Sequence, residues 1–183
     1  MPVLYTIGHS TRPITEFIDL LKEHGIQALA DIRTIPRSRH NPQFEQDALR
    51  AALEAEGIAY HHLKALGGLR PGTGGTLNLG WRNASFRNFA DYMQTPAFEE
   101  GIGELLALAD TRRTAIMCAE AVPWRCHRSL VADALLARGV EVMDILGPRH
   151  AAPHKLTPFA RLDGSRVTYP GEEDDERGNP AHP

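Results

Sequence analysis

The amino-acid sequence predicts a single α/β domain, a three-layer, Rossmann-like sandwich with about five mostly parallel strands. Short apolar runs rich in β-branched residues alternate with amphipathic helical segments over residues 1–147. The length of 183 residues suits one medium domain, and the sequence contains no internal repeat. Strands that are separated by helices pair in parallel through right-handed crossovers, which favours this fold class.

The first half of the chain supplies three strands and two helices. Each predicted strand is an apolar run, and each predicted helix repeats apolar side chains at a spacing of three or four residues before a glycine. In chain order the elements are strand 3–8, helix 13–25, strand 28–35, helix 42–57 and strand 58–63.

The second half opens with a glycine-rich stretch, residues 64–85, which has neither helical nor strand periodicity. We expect a long loop there, and long loops in compact domains are often functional. The elements that follow are helical segments 86–93 and 96–110, strand 113–120, helix 126–139 and strand 140–146.

These elements place the α/β domain in residues 1–150 and leave residues 151–183 as a C-terminal extension. The net charge of −3 is concentrated at its end, because residues 171–183 carry five acids and one arginine. The rest of the chain sums to about +1, so overall charge gives no case for nucleic-acid binding. We expect the acidic end to be disordered from about residue 171.

Composition predicts a cytoplasmic protein with reduced thiols. The apolar fraction of 42% is typical of a globular core, and no apolar run reaches the length of a membrane span. The N-terminal residues do not resemble a signal peptide, and two cysteines are too few for a disulfide scaffold. No membrane partner is expected, and the oligomeric state is left open.

Polar clusters follow four of the predicted strands. They occupy residues 8–12, 31–40, 61–68 and 118–129. Ligands of parallel α/β sheets bind beyond the carboxyl ends of the strands, so we expect these clusters to form one site.

The first cluster, "GHSTRP", joins a strand to a helix. Gly8 permits a tight turn or the close approach of a ligand, and the helix start offers N–H groups to an anion. His9 is a candidate general base or an exposed loop histidine. Ser10 is a candidate anion ligand, and either Ser10 or Thr11 could instead cap the helix.

The second cluster, "DIRTIPRSRH", contains three arginines. Asp31 and Arg33 alternate along the predicted strand, so both side chains point to one face and could pair. Arg33 and Arg39 suit a phosphate, sulfate or carboxylate, and the alternative is a solvated basic loop.

The third cluster contains His61 and His62, which must point to opposite faces of a strand. At most one of them belongs to a given pocket. Gly67 and Gly68 follow in a loop that we interpret as a flexible lid or a wall of the crevice.

The fourth cluster, "MCAEAVPWRCHRS", holds both cysteines of the chain. Cys118 ends a predicted strand, and Cys126 and His127 begin a helix. A helix start and nearby arginines lower the pKa of a thiol, so Cys118 is either a reactive thiol or a small buried hydrophobic residue. A metal held by Cys118, Cys126 and His127 is a third, disfavoured possibility, because the spacing matches no zinc signature.

The motifs "TIGHS", "DIRTIPRSRHNPQF", "YHHLKALGG" and "MCAEAVPWRCHR" together resemble the bacterial and archaeal family called domain of unknown function 488. The resemblance covers roughly residues 4–147, because the four motifs occur in the family's order. It implies a compact α/β domain and supplies no established reaction. The matching positions are Gly8, His9, Ser10, Asp31, Arg33, Pro36, Arg39, Phe44, Gly67, Gly68, Cys118, Glu120, Cys126, His127 and Arg128.

The leading hypothesis is a small enzyme, a cysteine- or histidine-assisted transferase or hydrolase, acting on an anionic substrate. That substrate is a phosphorylated metabolite, a nucleotide or a nucleic-acid end. His9, Cys118 and Glu120 are the candidate catalytic residues. The candidate substrate-binding residues are Gly8, Ser10, Asp31, Arg33, Arg39, Gly67, Gly68, Cys126, His127 and Arg128.

Two alternatives stay open. One is a non-catalytic module that binds a nucleotide or nucleic acid, and the other is a metal-binding regulator that uses Cys118, Cys126 and His127. No cofactor is predicted, and a small anionic ligand is the expected partner.

Overall fold

The computed structural model describes residues 3–171. Its centre is a sheet of six strands, which are β1 (Val3–Gly8), β2 (Ala28–Asp31), β3 (Ala59–His62), β4 (Thr114–Cys118), β5 (Glu141–Gly147) and β6 (His150–Pro153). The spatial order is β3-β2-β4-β1-β5-β6. Strands β1 to β5 run parallel, and β6 is antiparallel to β5. The predicted α/β class and the mostly parallel sheet are confirmed.

Five helices cover the two faces of the sheet. They are α1 (Ile14–Glu23), α2 (Gln46–Ala55), α3 (Ala84–Tyr92), α4 (Pro96–Thr111) and α5 (Arg128–Ala137). Apolar residues of α1 and α2 share one buried cluster with β1 and β4, and those of α3, α4 and α5 share a second cluster on the opposite face. Burial of these apolar stripes on both faces gives the three predicted layers.

Two elements are shorter than the sequence predicts. Strand β2 ends at Asp31 rather than near residue 35, and the Asp31 carboxylate accepts a hydrogen bond from the backbone N–H of Arg33 at 3.1 Å. The predicted helix 42–57 is a short 3-10 turn, Pro42–Phe44, followed by α2. Glu45 is extended between them, and the turn buries Phe44 completely.

The chain beyond β5 also contributes to the core. Strand β6 begins at His150, and the rest of it lies in the predicted C-terminal extension, residues 151–183. A hairpin of β7 (Arg161–Asp163) and β8 (Arg166–Thr168) follows. Tyr169 is fully buried against the cluster that contains α3 to α5. The segment after residue 147 is rich in proline and charged residues and contains no apolar run, so the sequence carries no strand signal there.

The predicted disorder of the acidic tail concerns residues that the structure does not describe. Most of this tail falls on residues 172–183, which lie outside the described residues.

Over residues 3–171, no helix is both long enough and apolar enough to cross a membrane. The cytoplasmic location stays a prediction.

Candidate functional site

Backbone hydrogen bonds hold the carboxyl ends of the central strands β1 and β4 together. Gly8 of β1 is in register with Cys118 of β4. The pairing continues past both strands, since the backbone N–H groups of His9 and Ser10 donate to the carbonyls of Cys118 and Ala119, each at 2.9 Å. A Cβ atom on Gly8 would lie 1.6 Å from the Glu120 carbonyl oxygen, so this crossing requires glycine.

Ser10 adopts a left-handed backbone conformation at this crossing, with φ of 51°. Such conformations cost free energy for a residue other than glycine and are concentrated at functional sites. The side chains of Ser10 and Thr11 do not cap α1, because Pro13 occupies the N-cap position and no side chain caps the helix. The turn therefore positions backbone groups and His9 rather than starting the helix.

His9 is buried, with its ring stacked on Phe44 at a centroid distance of 4.2 Å. Burial lowers the pKa of His9 to about 4, the hydrogen bond to Ser10 opposes this change, and the nearby charge of Arg33 reinforces it. The imidazole is therefore neutral at pH 7. The Ser10 carbonyl accepts from Nδ1 at 2.8 Å, which leaves Nε2 as the unprotonated nitrogen. Among the described residues Nε2 has no hydrogen-bond partner.

Asp31 and Arg33 form a buried ion pair, which the sequence analysis gives as one possibility. Arg33 donates from Nε and Nη2 to the two carboxylate oxygens, at 2.9 and 2.7 Å. The hydroxyl of Tyr60 on β3 donates to Asp31 Oδ2 at 2.6 Å. Burial raises the pKa of Tyr60 above its usual range, as do the charge of Asp31 and this hydrogen bond. Asp31 thus holds Arg33 in place, while Arg33 Nη1 is buried without a partner among the described residues.

The two cysteine side chains are free thiols, and both are buried. Burial alone raises the pKa of Cys118. The neighbouring Cys126 thiol and the charge of Arg128 outweigh burial, so the pKa of Cys118 is lowered. The neighbouring Cys118 and burial raise the pKa of Cys126 well above its ordinary value. If one of the two thiols ionises, it is Cys118.

Arg128 begins α5 and is completely buried. Its only hydrogen bond from the guanidinium goes from Nη2 to the carbonyl of Ala121 at 3.3 Å, within the part of the chain that is described. Nε and Nη1 are buried and unpaired there, and no carboxylate of residues 3–171 forms a salt bridge with this group. A buried guanidinium without a carboxylate partner is costly unless an anion meets it.

Arg12 adds a third positive charge to this end of the sheet. Its guanidinium donates to the carbonyls of Gly8 and Leu146. Burial lowers the pKa of Arg12, Glu16 partly offsets this change, and the charge of Arg128 lowers the pKa further. Asp31 pairs with Arg33, whereas neither Arg12 nor Arg128 has a salt-bridge partner within residues 3–171.

His127 connects the loop after β3 to α5. Its Nε2 donates to the carbonyls of Ile32 and Leu66, each at 3.0 Å, so Nδ1 is the unprotonated nitrogen and faces Cys126 Sγ at 3.4 Å. Burial lowers the pKa of His127 to about 4, although the two hydrogen bonds to carbonyls oppose this change. A Cβ atom on Gly68 would lie 2.6 Å from His127 Nδ1.

Gly67 meets a similar constraint, because a Cβ atom there would lie 2.5 Å from the Thr34 hydroxyl. The loops that follow β2 and β3 therefore pack directly against each other and against His127. Gly67 and Gly68 form a wall of the site by allowing this contact.

Some predicted site residues lie apart from the buried group. The side chains of Glu120 and Arg39 are exposed, and the contribution of Glu120 to the group is its backbone carbonyl, which accepts from Cys118 Sγ at 3.7 Å. Of the two adjacent histidines, His61 is exposed and His62 donates from Nε2 to the carbonyl of Arg33 at 2.7 Å.

Neither Tyr60 nor Arg12 is among the predicted site residues. Tyr60 lies inside an apolar run, and its role follows from the pairing of β2 with β3, where it lies in register with Leu29. Nothing in the local sequence distinguishes it from a core tyrosine.

The described residues contain no group of three or more histidine, cysteine, aspartate or glutamate side chains placed to hold a metal ion. His127 Nδ1, the unprotonated nitrogen, faces Cys126 Sγ. The metal-binding alternative stays a hypothesis.

Five of the predicted site residues that bear ionisable side chains are buried at this edge of the sheet, and we call them the buried cation group: His9, Arg33, Cys118, Cys126 and Arg128. No curated protein and no solved structure shows significant similarity to the chain. Residues 13–135, about two thirds of the sequence, match the family described as Domain of unknown function DUF488. This segment includes most of the group, from Arg33 to Arg128, as well as Gly67 and Gly68. The chain therefore belongs to the DUF488 family.

Proposed function

We propose that this protein is a small enzyme that acts on an anionic substrate at the carboxyl edge of the sheet. The observation that carries the proposal is Arg128, a completely buried guanidinium with two unpaired nitrogens and no carboxylate partner in residues 3–171. Arg33 Nη1, buried and unpaired as well, would share the anion. A phosphate or carboxylate group supplies the acceptors that such donors require.

Two neighbours of the cations have the properties of reacting groups. His9 is neutral with an unprotonated Nε2, which suits the acceptance of a proton from the substrate or from water. Cys118 is the thiol whose pKa is lowered, which suits a nucleophile. Together they support a cysteine- or histidine-assisted transferase or hydrolase.

Binding of simple oxyanions tests the anion site. We expect inorganic phosphate and sulfate to raise the melting temperature, and the ion that binds more tightly to raise it more at equal concentration. Arg128→Met should abolish this shift, whereas Arg125→Met, which changes an exposed arginine of the same loop, should preserve it. An unchanged melting temperature across oxyanions, or a full shift in Arg128→Met, would reject the proposal.

The burial of Cys118, which is 1% exposed, favours a second candidate function. A nucleophile must be reached by its substrate, so a thiol that stays inaccessible would indicate a non-catalytic module that binds a nucleotide or nucleic-acid phosphate. The pH dependence of thiol alkylation in the native protein separates the two functions. The enzyme requires Cys118 to react faster than Cys126, and inert thiols at both positions would favour the module.

A further inference from the structure

A cavity lies at the carboxyl end of β5, beside the loop that holds Cys126 and Arg128. It has a volume of about 510 Å³, which is within the usual size of a small-molecule site. Aromatic rings and prolines dominate its wall, together with Leu146 near the end of β5. These residues are Trp81, Trp124, Phe159, Pro123, Pro153 and Pro158.

Trp81 forms a fixed aromatic wall of this cavity. Its ring contacts Phe86, Phe159 and Tyr169 at centroid distances of 5.0, 4.8 and 5.4 Å, so it is held in place from several sides. The indole N–H of Trp81 is buried and has no acceptor among residues 3–171. An unpaired buried donor is costly, and a ligand acceptor in the cavity would satisfy it.

Trp124 lies at the same cavity but is 65% exposed. A large exposed aromatic side chain offers a surface for stacking with a flat ring, and the in-plane N–H of Trp81 offers a donor to the edge of that ring. The cavity therefore suits a planar heteroaromatic ring that carries a hydrogen-bond acceptor.

Asp144, His154 and Lys155 are the ionisable side chains of the cavity wall. His154 bonds to Asp144 and to Asp133 of α5, each at 2.9 Å, so this histidine is shared by two carboxylates. Lys155 is exposed, has no partner among the described residues, and adds a positive charge at the rim. Lys155 is therefore the side chain of the wall that can meet an anionic group of the ligand.

The cavity and the buried cation group share one loop. Pro123, Trp124 and Ser129 line the cavity, and Cys126 and Arg128 lie between them in the chain. Arg12, whose pKa responds to the charge of Arg128, donates to the carbonyl of Leu146 at 3.3 Å.

We infer that the cavity binds a nucleobase, so that the substrate is a nucleotide with its phosphate at the buried cation group. The base would stack on Trp124 and accept, at its edge, a hydrogen bond from the Trp81 indole N–H, which points outward in the plane of the indole ring. The position of the phosphate rests on the proposed function, and the ring site rests on the cavity alone.

Titrations with three kinds of probe test this inference. They are the nucleoside 5′-monophosphates of the four common bases, the matching nucleosides, and ribose 5-phosphate as a ligand without a ring. Both tryptophans of the chain line the cavity, so their fluorescence reports on ring binding directly, while calorimetry gives the affinities. We expect at least one monophosphate to bind about tenfold tighter than ribose 5-phosphate and to change the fluorescence.

Two single variants test whether the cavity causes the tighter binding of the monophosphate. Trp81→Phe keeps a ring but removes the N–H, and Trp124→Ala changes an exposed side chain. Each should weaken the preferred monophosphate about tenfold and leave ribose 5-phosphate unchanged, with the remaining tryptophan as reporter. Leu162→Ala, an exposed residue of the β7–β8 hairpin outside the cavity wall, is the control.

The outcomes separate the ring site from the phosphate site. The inference is overturned if no monophosphate binds tighter than ribose 5-phosphate, or if the tryptophan variants weaken both ligands equally. Should every phosphate compound fail to bind, the proposed function fails and the nucleosides decide the ring site alone. A nucleoside that binds and changes the fluorescence supports the ring site, and silence from all four rejects it.

Discussion

The guanidinium of Arg128 acts on the Cys118 thiol through its charge. Replacing Arg128 with methionine removes a charge that lowers the pKa of Cys118 and leaves burial, which raises it. We expect the midpoint of the pH profile for alkylation of Cys118 to move to higher pH. The free energy of unfolding should stay unchanged or rise by up to about 4 kcal/mol, because an apolar side chain of similar volume replaces a poorly paired buried charge.

Arg125→Met serves as the matched control, since it removes an exposed positive charge from the same loop. Its alkylation profile should match that of the unmodified protein. If Arg128→Met left the profile in place, the charge of Arg128 would have no part in setting the reactivity of the thiol.

The close contact between the ends of β1 and β4 is possible because Gly8 has no side chain. Gly8→Ala would place a Cβ atom 1.6 Å from a backbone oxygen, and the backbone must move to relieve this contact. We expect a loss of about 3 kcal/mol or more in urea unfolding. Gly103→Ala in α4 has open space around it and should gain about 1 kcal/mol. Equal stability of Gly8→Ala and the parent protein would contradict the tight crossing.

At the scale of elements, His154 joins α5 and β5 to the segment after β6. Its two ring nitrogens meet Asp133 of α5 and Asp144 of β5, both at 2.9 Å. Both nitrogens must donate, so the ring is an imidazolium. Burial lowers the pKa of His154, but the hydrogen bonds and charges of the two aspartates outweigh it and raise the pKa to about 9.

This contact predicts a loss of stability at alkaline pH. The folded protein holds the proton more tightly than the unfolded chain, whose histidine titrates near 6.5. The stabilisation is fully present below pH 6.5 and is lost as pH rises through about 9, with a total on the order of 3 kcal/mol at most. Urea unfolding between pH 6 and about 9.5 measures it.

His154→Gln should remove this part of the pH dependence, whereas His61→Gln, at an exposed histidine, should keep it. An identical pH dependence in His154→Gln and the parent protein would show that the contact of His154 with the two aspartates does not stabilise the fold.

At the scale of the whole molecule, the segment after β6 packs against the apolar cluster that contains α3 to α5. The Tyr169 hydroxyl donates to Asp133 Oδ2 at 2.7 Å, and the backbone of Tyr169 bonds to Asn78 and Gly80 in the glycine-rich loop. Tyr169→Phe removes one hydrogen bond to a buried carboxylate and should cost about 1.5–3 kcal/mol in urea unfolding.

Tyr5→Phe is the control, because the Tyr5 hydroxyl has no hydrogen bond within the described chain and its removal should be nearly neutral. Equal effects of the two substitutions would mean that the Tyr169 hydroxyl does not tie the C-terminal segment to α5.

The sequence predicts the features of this molecule that have a local cause. Apolar periodicity locates strands β1 to β5 and the helices. The sequence also raises the possibility of a pair between Asp31 and Arg33, which forms through the turn after β2. Contacts between distant segments have no such signal. Asp133 meets Tyr169 and His154 only because α5 packs beside the C-terminal segment, and each residue alone is typical of a surface or a core.

The edges of the sheet bear on how the protein behaves at high concentration. Within residues 3–171 the outer strands are β3 and β6, and each has four residues. Unpaired edges invite other chains to add strands, and short edges that contain proline resist such addition. Pro153 ends β6 and has no N–H to offer. The antiparallel strand thus gives the parallel sheet a blunt margin, which protects the protein against edge-to-edge aggregation.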